Sequence, residues 1–242
     1  MRFINLAGYK FVPLENLPEL KAGLKGLCGE VDLKGTILVS PEGINIFVAG
    51  SVPAVNRLKA YVRADSRLAG LRFKQSVSSY QPFKRMLVRI RKEIITLRVP
   101  GLDPATQRAP AVTPAELKRW LDEGHEVVLL DTRNAFEVKT GTFRKAVHLD
   151  LKSFGEFPRA VDKLDESFKG RTVVAFCTGG IRCEKAAPLL IQKGFRSVFQ
   201  LEGGILQYFE DCGAAHFQGR CFVFDQRSAL DANLDPELAG AQ

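Results

Sequence analysis

The run Cys177-Thr178-Gly179-Gly180-Ile181-Arg182-Cys183 holds the side chains best suited to chemistry. It follows residues 173–176, which have no polar interruption and read as a buried parallel strand. In open α/β sheets reactive groups gather beyond the carboxyl ends of the strands. The two glycines let successive backbone N–H groups turn toward one point, and the helix expected after the loop adds its positive end. With Arg182 near enough in sequence to fold over that point, an anion is stabilised there, and the Cys177 thiol should ionise below its free value of about 8.5. The chemistry this predicts is that of a nucleophilic thiolate. A cysteine that merely filled space at a strand end would need neither the glycines nor the arginine. Cys183 has two readings: it relays or resolves a sulfur bound to Cys177, or it occupies the first turn of the helix.

The remaining thiols point elsewhere. Five cysteines (Cys28, Cys177, Cys183, Cys212, Cys221) are an odd number spread over 242 residues without an export signal, so free thiols are expected rather than a disulfide framework. Cys212, His216 and Cys221 offer three soft ligands, but structural zinc normally takes four. No metal site is expected, and that stretch reads as a docking segment with incidental thiols. No cofactor motif is evident.

The elements that position the loop begin at Thr113-Pro114-Ala115-Glu116, where threonine can cap a helix, proline suits its first turn and glutamate sits three residues past the cap. A helix to about residue 123 follows. Next come a strand at 127–130, a loop from Asp131, a short strand near 146–149 and a mixed segment to Lys169. After the cysteine loop, residues 186–193 read as a helix stopped by Gly194, and 198–201 as a last strand. Pro188 implies that this helix starts late or is kinked. Alternating β and α elements imply an open, mostly parallel sheet.

The first hundred residues follow another pattern. Strands at 3–12, 33–39, 44–48 and 71–77 alternate with helices at 14–27 and after Ser51, the order βαββαβ of a ferredoxin-like α+β sandwich. A further strand is expected over 86–95, with Val88 and Ile90 on one face and Arg89 and Arg91 on the other. Together with Lys84 and Arg85, that second face is the candidate phosphate-contacting surface. Residues 1–100 carry 17 Lys and Arg against 7 Asp and Glu, whereas residues 101–242 carry 18 against 20. A cationic half joined to a near-neutral half suggests that the first recognises a polyanion while the second does something else; a solvated basic surface is the plain alternative. The expected organisation is a basic domain at 1–100, a linker at 101–112, an α/β domain at 113–211 and a tail at 212–242. No apolar stretch approaches the roughly 18–20 residues that cross a bilayer, and the first residues lack the layout of a secretory signal, so no membrane partner and a cytoplasmic location are expected.

Val128-Leu129-Leu130-Asp131-Thr132-Arg133, then Gly141, Ala146-Val147-His148, the cysteine loop closed by Arg182, Gly194-Phe195 and Leu201-Glu202-Gly203-Gly204 together resemble a rhodanese domain. That resemblance implies a persulfide carried on Cys177, a loop of Thr178, Gly179, Gly180, Ile181 and Arg182 around it, and support of the loop by Asp131 and Arg133. A wider resemblance covers nearly the whole chain. The run from Gly35 to Asn45 (GTILVSPEGIN), residues 177–186, and Gly219-Arg220-Cys221-Phe222-Val223-Phe224-Asp225 are similar to the tRNA uridine-34 hydroxylases. The family implies oxygen-dependent formation of 5-hydroxyuridine at the wobble position, with molecular oxygen as co-substrate and the anticodon region of tRNA as partner. Neither the electron donor nor the oligomeric state can be read from the sequence. The activated cysteine equally suits a sulfurtransferase that carries sulfane sulfur. A non-enzymatic RNA- or protein-binding module would leave it unexplained.

Overall fold

A computed structural model describes residues 2–236 and divides the chain into two units, with the boundary between Thr96 and Leu97. The first unit runs β1 (Phe3–Phe11), α1 (Leu17–Glu30), β2 (Lys34–Ser40), β3 (Gly43–Gly50), α2 (Val52–Ala64), β4 (Phe73–Ser78) and β5 (Met86–Ile90). Its sheet has the order β4-β1-β3-β2-β5, antiparallel except that β5 adds to β2 in parallel. This is the ferredoxin-like sandwich with one further edge strand. Ser51 caps α2 by accepting the Ala54 N–H at 3.3 Å, and Val55, Leu58 and Val62, spaced for one helical face, are buried. They pack with Leu24, Leu27 and Cys28 of α1 on Ile37, Val39, Ile44, Ile46 and Val48 of the sheet. Helix α1 begins at Leu17, later than its apolar spacing implies, because Asn16 is left-handed and Pro18 stands in the first turn.

Strand β5 stops at Ile90, short of the expected Ile95. Val88 faces the core as expected, but Ile90, the last residue of an edge strand, is exposed. Lys84, Arg85, Arg89, Arg91 and Lys92 are all exposed along this edge, and the Arg91 N–H still bonds the Val39 carbonyl at 2.9 Å.

The second unit contains β6 (Ala111–Val112), α3 (Pro114–Asp122), β7 (Val127–Asp131), α4 (Ala135–Thr140), β8 (Gly141–Phe143), β9 (Val147–His148), α5 (Phe157–Val161), β10 (Thr172–Phe176), α6 (Cys183–Gln192), β11 (Ser197–Leu201), α7 (Gly204–Cys212), β12 (Phe217–Gly219), β13 (Cys221–Phe222) and β14 (Ala229–Leu230). Its main sheet, β6-β11-β10-β7-β9, is parallel throughout, with β10 at the centre. The Thr113 hydroxyl caps α3 by accepting the Glu116 N–H at 3.2 Å. Two stretches differ from expectation. The end of the segment read as linker is strand β6, because Val112 is buried and pairs with Leu201. The start of the segment read as tail is built into the unit: β12 pairs with β8, and Phe217 and Cys221 enter the core. Phe143 organises that core, meeting Phe176, Tyr208 and Phe217 edge to face with ring centroids 5.0, 4.8 and 5.2 Å away. The last six residues of the 212–242 tail lie outside the described residues.

Candidate active site

Cys177 stands directly after the central strand, with 1% of its surface exposed. The Gly180 N–H points at its sulfur, 3.1 Å from Sγ. That aim depends on Gly180, whose φ of 98° lies in the left-handed region. Burial alone would push the thiol up. The Cys183 thiol hydrogen bond, the Arg182 charge and the N–H groups of Arg182 and Gly180 outweigh burial and pull the Cys177 thiol down to about 5. Cys183 is fully buried in the first turn of α6. Burial and the neighbouring Cys177 sulfur hold its own thiol well above the ordinary range, so it stays protonated and serves as the donor. The other buried thiols are not activated: burial raises Cys28 to about 11 and Cys221 to about 12. Helix α6 starts at Cys183 rather than late, with Pro188 inside it.

The Arg182 guanidinium is held by a carboxylate. Its Nη1 and Nη2 donate to Glu137 Oε2 and Oε1 at 2.6 and 2.7 Å, a bidentate pair with Glu137 wholly buried. Glu137 Oε2 also accepts the Asn134 N–H at 3.1 Å, so one carboxylate fixes both the start of α4 and the end of the cysteine loop. Sequence reasoning missed Glu137, although the Asn134 to Glu137 spacing is that of a capping box.

The Asp131 and Arg133 side chains form a second buried pair, with Nε to Oδ1 at 2.9 Å and Nη2 to Oδ2 at 2.6 Å. Asp131 Oδ1 also accepts the Arg133 N–H at 3.0 Å, and further bonds go to β8: Arg133 Nη2 donates to the Gly141 carbonyl at 2.6 Å, and the Thr142 hydroxyl donates to Asp131 Oδ2 at 2.7 Å. The residue between them touches the cysteine strand. Thr132 donates both its N–H and its hydroxyl to the Phe176 carbonyl at 3.0 Å, and its Oγ1 lies 3.9 Å from Cys183 Sγ.

The far side of the loop is held by the start of α7, which sequence reasoning left unassigned. Ile205 and Leu206 donate their N–H groups to the carbonyls of Cys177 and Thr178 at 2.9 and 3.1 Å. Gly204, at φ 66°, makes this approach possible, since a Cβ there would sit 2.4 Å from the Cys177 oxygen. Within the loop the Thr178 hydroxyl donates to the Phe222 carbonyl at 3.4 Å, Gly179 has open space beside it, and Ile181 is buried.

The zinc trio considered from sequence is not brought together. His216 Nε2 lies 2.7 Å from Asp122 Oδ1, and among the described residues no group of three metal-ligating side chains forms.

A parallel sheet whose central strand delivers a cysteine into a six-residue loop closed by a buried arginine defines a rhodanese-like domain, and residues 113–211 match the Rhodanese-like domain family. Residues 3–94 match the family described as UPF0176 acylphosphatase like domain. Over 241 residues the chain is 54% identical to the tRNA uridine(34) hydroxylase of Ralstonia nicotianae, covering 98% of this chain and 86% of that protein. It is 52% identical to the protein of the same name in Bordetella petrii, covering 99% and 97%. The chain therefore belongs to the tRNA uridine(34) hydroxylase family. The rhodanese-like domain of an Anabaena sp. protein, solved by solution NMR, is 24% identical to it, with a TM-score of 0.38, covering 46% of this chain and 80% of its own.

Proposed function

We propose that this chain hydroxylates C5 of the uridine at position 34 of tRNA, with Cys177 as the reacting nucleophile. The observation that carries this reading is a thiol held ionised near neutral pH at a strand end, in a chain about half identical to named hydroxylases over almost its full length. C5 of uracil is a poor nucleophile until something adds at C6, and a thiolate is the kind of group that adds there. Attack by Sγ breaks the C5–C6 π bond and moves its electron pair toward C5 and the C4 carbonyl. C5 then bonds to dioxygen. One oxygen atom stays as the hydroxyl, and the other leaves as water with two electrons and two protons from a reductant. Loss of the C5 hydrogen as a proton expels Sγ and restores the ring. The N–H groups of Gly180 and Arg182 and the Cys183 thiol receive the returning thiolate.

In the first unit, the exposed Lys84, Arg85, Arg89 and Arg91 supply phosphate contacts to the tRNA. No helix among the described residues is long and apolar enough to cross a membrane. We assign the protein to the cytoplasm, beside its substrate.

The 1% exposure of Cys177 favours a second reading of the same site. A persulfide on Cys177 carries its outer sulfur about 2.0 Å beyond Sγ, toward an acceptor that the buried atom itself meets less readily. The chain would then act as a rhodanese-type sulfurtransferase. Mass spectrometry of tRNA nucleosides from cells with and without the gene, grown under ¹⁸O₂, separates the two. Gene-dependent 5-hydroxyuridine carrying ¹⁸O supports the hydroxylase; a gene-dependent thiolated uridine supports sulfur transfer.

A further inference from the structure

The segment from Gly219 to Asp225 takes no part in the chemistry above, yet it ends beside the cysteine loop. Strand β13 carries Phe222, whose carbonyl accepts the Thr178 hydroxyl. Phe224 follows two residues later. Phe136 comes to the same place from the first turn of α4, immediately before Glu137, the residue that holds Arg182. The three rings meet edge to face: the centroids of Phe136 and Phe222 are 5.1 Å apart, those of Phe222 and Phe224 5.2 Å, and those of Phe136 and Phe224 6.2 Å. This cluster is no core. Phe136 is 46% exposed and Phe224 58%.

Two phenylalanine rings left in water forfeit much of their burial free energy, and such a patch beside a reactive group marks a surface that something covers. Its chemistry suits single-stranded RNA. Unpaired bases stack on flat rings, and Lys139, exposed one turn beyond Phe136 on the same side of α4, can meet a phosphate. Uridine 34 lies in the anticodon loop, so bringing it to Cys177 carries its unpaired neighbours past the rim of the cysteine loop. We propose that Phe136, Phe222 and Phe224 form a stacking platform for the nucleobases that flank the reacting uridine. The proposal rests on the reading of the chain as a tRNA uridine-34 hydroxylase, and it names the part of the second unit that grips the substrate.

The test uses the full chain and an anticodon stem-loop RNA with uridine at position 34 and fluorescent 2-aminopurine at position 35. Phe224→Ala and Phe136→Ala should each weaken binding about tenfold. Phe224→Leu should not restore it, because it keeps apolar volume without a flat face. Phe224→Trp should restore binding and quench the 2-aminopurine. An abasic site at position 35 should cost the wild type about as much as Phe224→Ala does, and should cost that variant little more. Unchanged melting temperature and Cys177 alkylation rate in the alanine variants would show that the loop is intact. Equal stem-loop affinity in every variant, with wild type still forming 5-hydroxyuridine, overturns the platform and leaves the function standing. A wild-type chain that neither binds the stem-loop nor modifies tRNA overturns both. If light scattering shows the wild type self-associating and Phe224→Ala monomeric with RNA affinity intact, the face is a contact between copies of this chain, and the proposal is wrong.

Discussion

Glu137 holds both terminal nitrogens of Arg182, at 2.6 and 2.7 Å, where the carboxylate has no exposed surface. The arginine that closes the cysteine loop is thus fastened to α4. Its charge and its own backbone N–H both favour the Cys177 thiolate. The pair makes the loop's position depend on a helix 45 residues earlier in the chain.

Breaking this pair should be costly from either side. Arg182→Ala leaves a buried carboxylate and Glu137→Ala a buried guanidinium, each worth about 3–5 kcal/mol. Arg182→Lys should recover only part of the loss, since an ammonium cannot engage both carboxylate oxygens. Denaturant unfolding measures this. Losses near those of surface substitutions, within about 0.5 kcal/mol, would mean that the pair is not structural.

The Cys177 thiol ionises at about 5 in the folded protein, against about 8.5 for a free thiol. Iodoacetamide alkylation of wild type should therefore stay fast down to mildly acidic pH. Cys183→Ala removes a hydrogen-bond donor and should move the midpoint upward, whereas Cys183→Ser keeps a donor and should move it less. Stability carries the same signature. The thiolate's contribution is fully present above about pH 9 and disappears as pH falls through about 5. Between those limits wild type should gain up to about 1.4 kcal/mol per pH unit relative to Cys177→Ser. Parallel stability profiles for the two proteins would show that the thiol is not ionised.

Gly204→Ala should damage the loop from its other side. Its φ of 66° and the 2.4 Å approach to the Cys177 oxygen combine strain with a clash. Gly124→Ala, just past the end of α3, is the control, with φ 73° and nothing within 4 Å. The control should lose only about 1–2 kcal/mol from the left-handed backbone. Gly204→Ala should lose more and shift the alkylation midpoint. Equal losses and an unshifted midpoint would show that the start of α7 does not shape the loop.

Much of this architecture is legible where the physics is local. The Ser51 and Thr113 caps and the apolar run at 173–176 act within a few residues and stand as read, and the Gly180 N–H meets Cys177 Sγ only three residues away. What escaped depends on partners far apart in the chain. Glu137 announces a capping box, but nothing in its spacing tells that Arg182 will occupy its oxygens. The N–H groups of Ile205 and Leu206 meet the cysteine loop only because β11 runs beside β10. Residues 217–219 read as tail because their partner strand is β8, hidden in a stretch read as loop.

Arg89 and Arg91 lie at an edge strand, where charges also guard against unwanted strand pairing. If they hold RNA, changing both to glutamate should weaken tRNA binding by well over tenfold at low salt, and the salt dependence should flatten. Cys177 alkylation should not change. Undiminished binding across a salt series would leave these arginines with the edge-guarding role alone.

The most direct test of Cys177 as the reacting nucleophile is the amount of 5-hydroxyuridine at position 34 in tRNA from a strain lacking the gene and carrying either wild type or Cys177→Ser. The serine hydroxyl nearly matches the thiol in size but supplies no anion near neutral pH. Wild type should restore the modified nucleoside, and Cys177→Ser, present at equal level and folded, should leave the uridine unmodified. Wild-type amounts of 5-hydroxyuridine with Cys177→Ser would contradict the account.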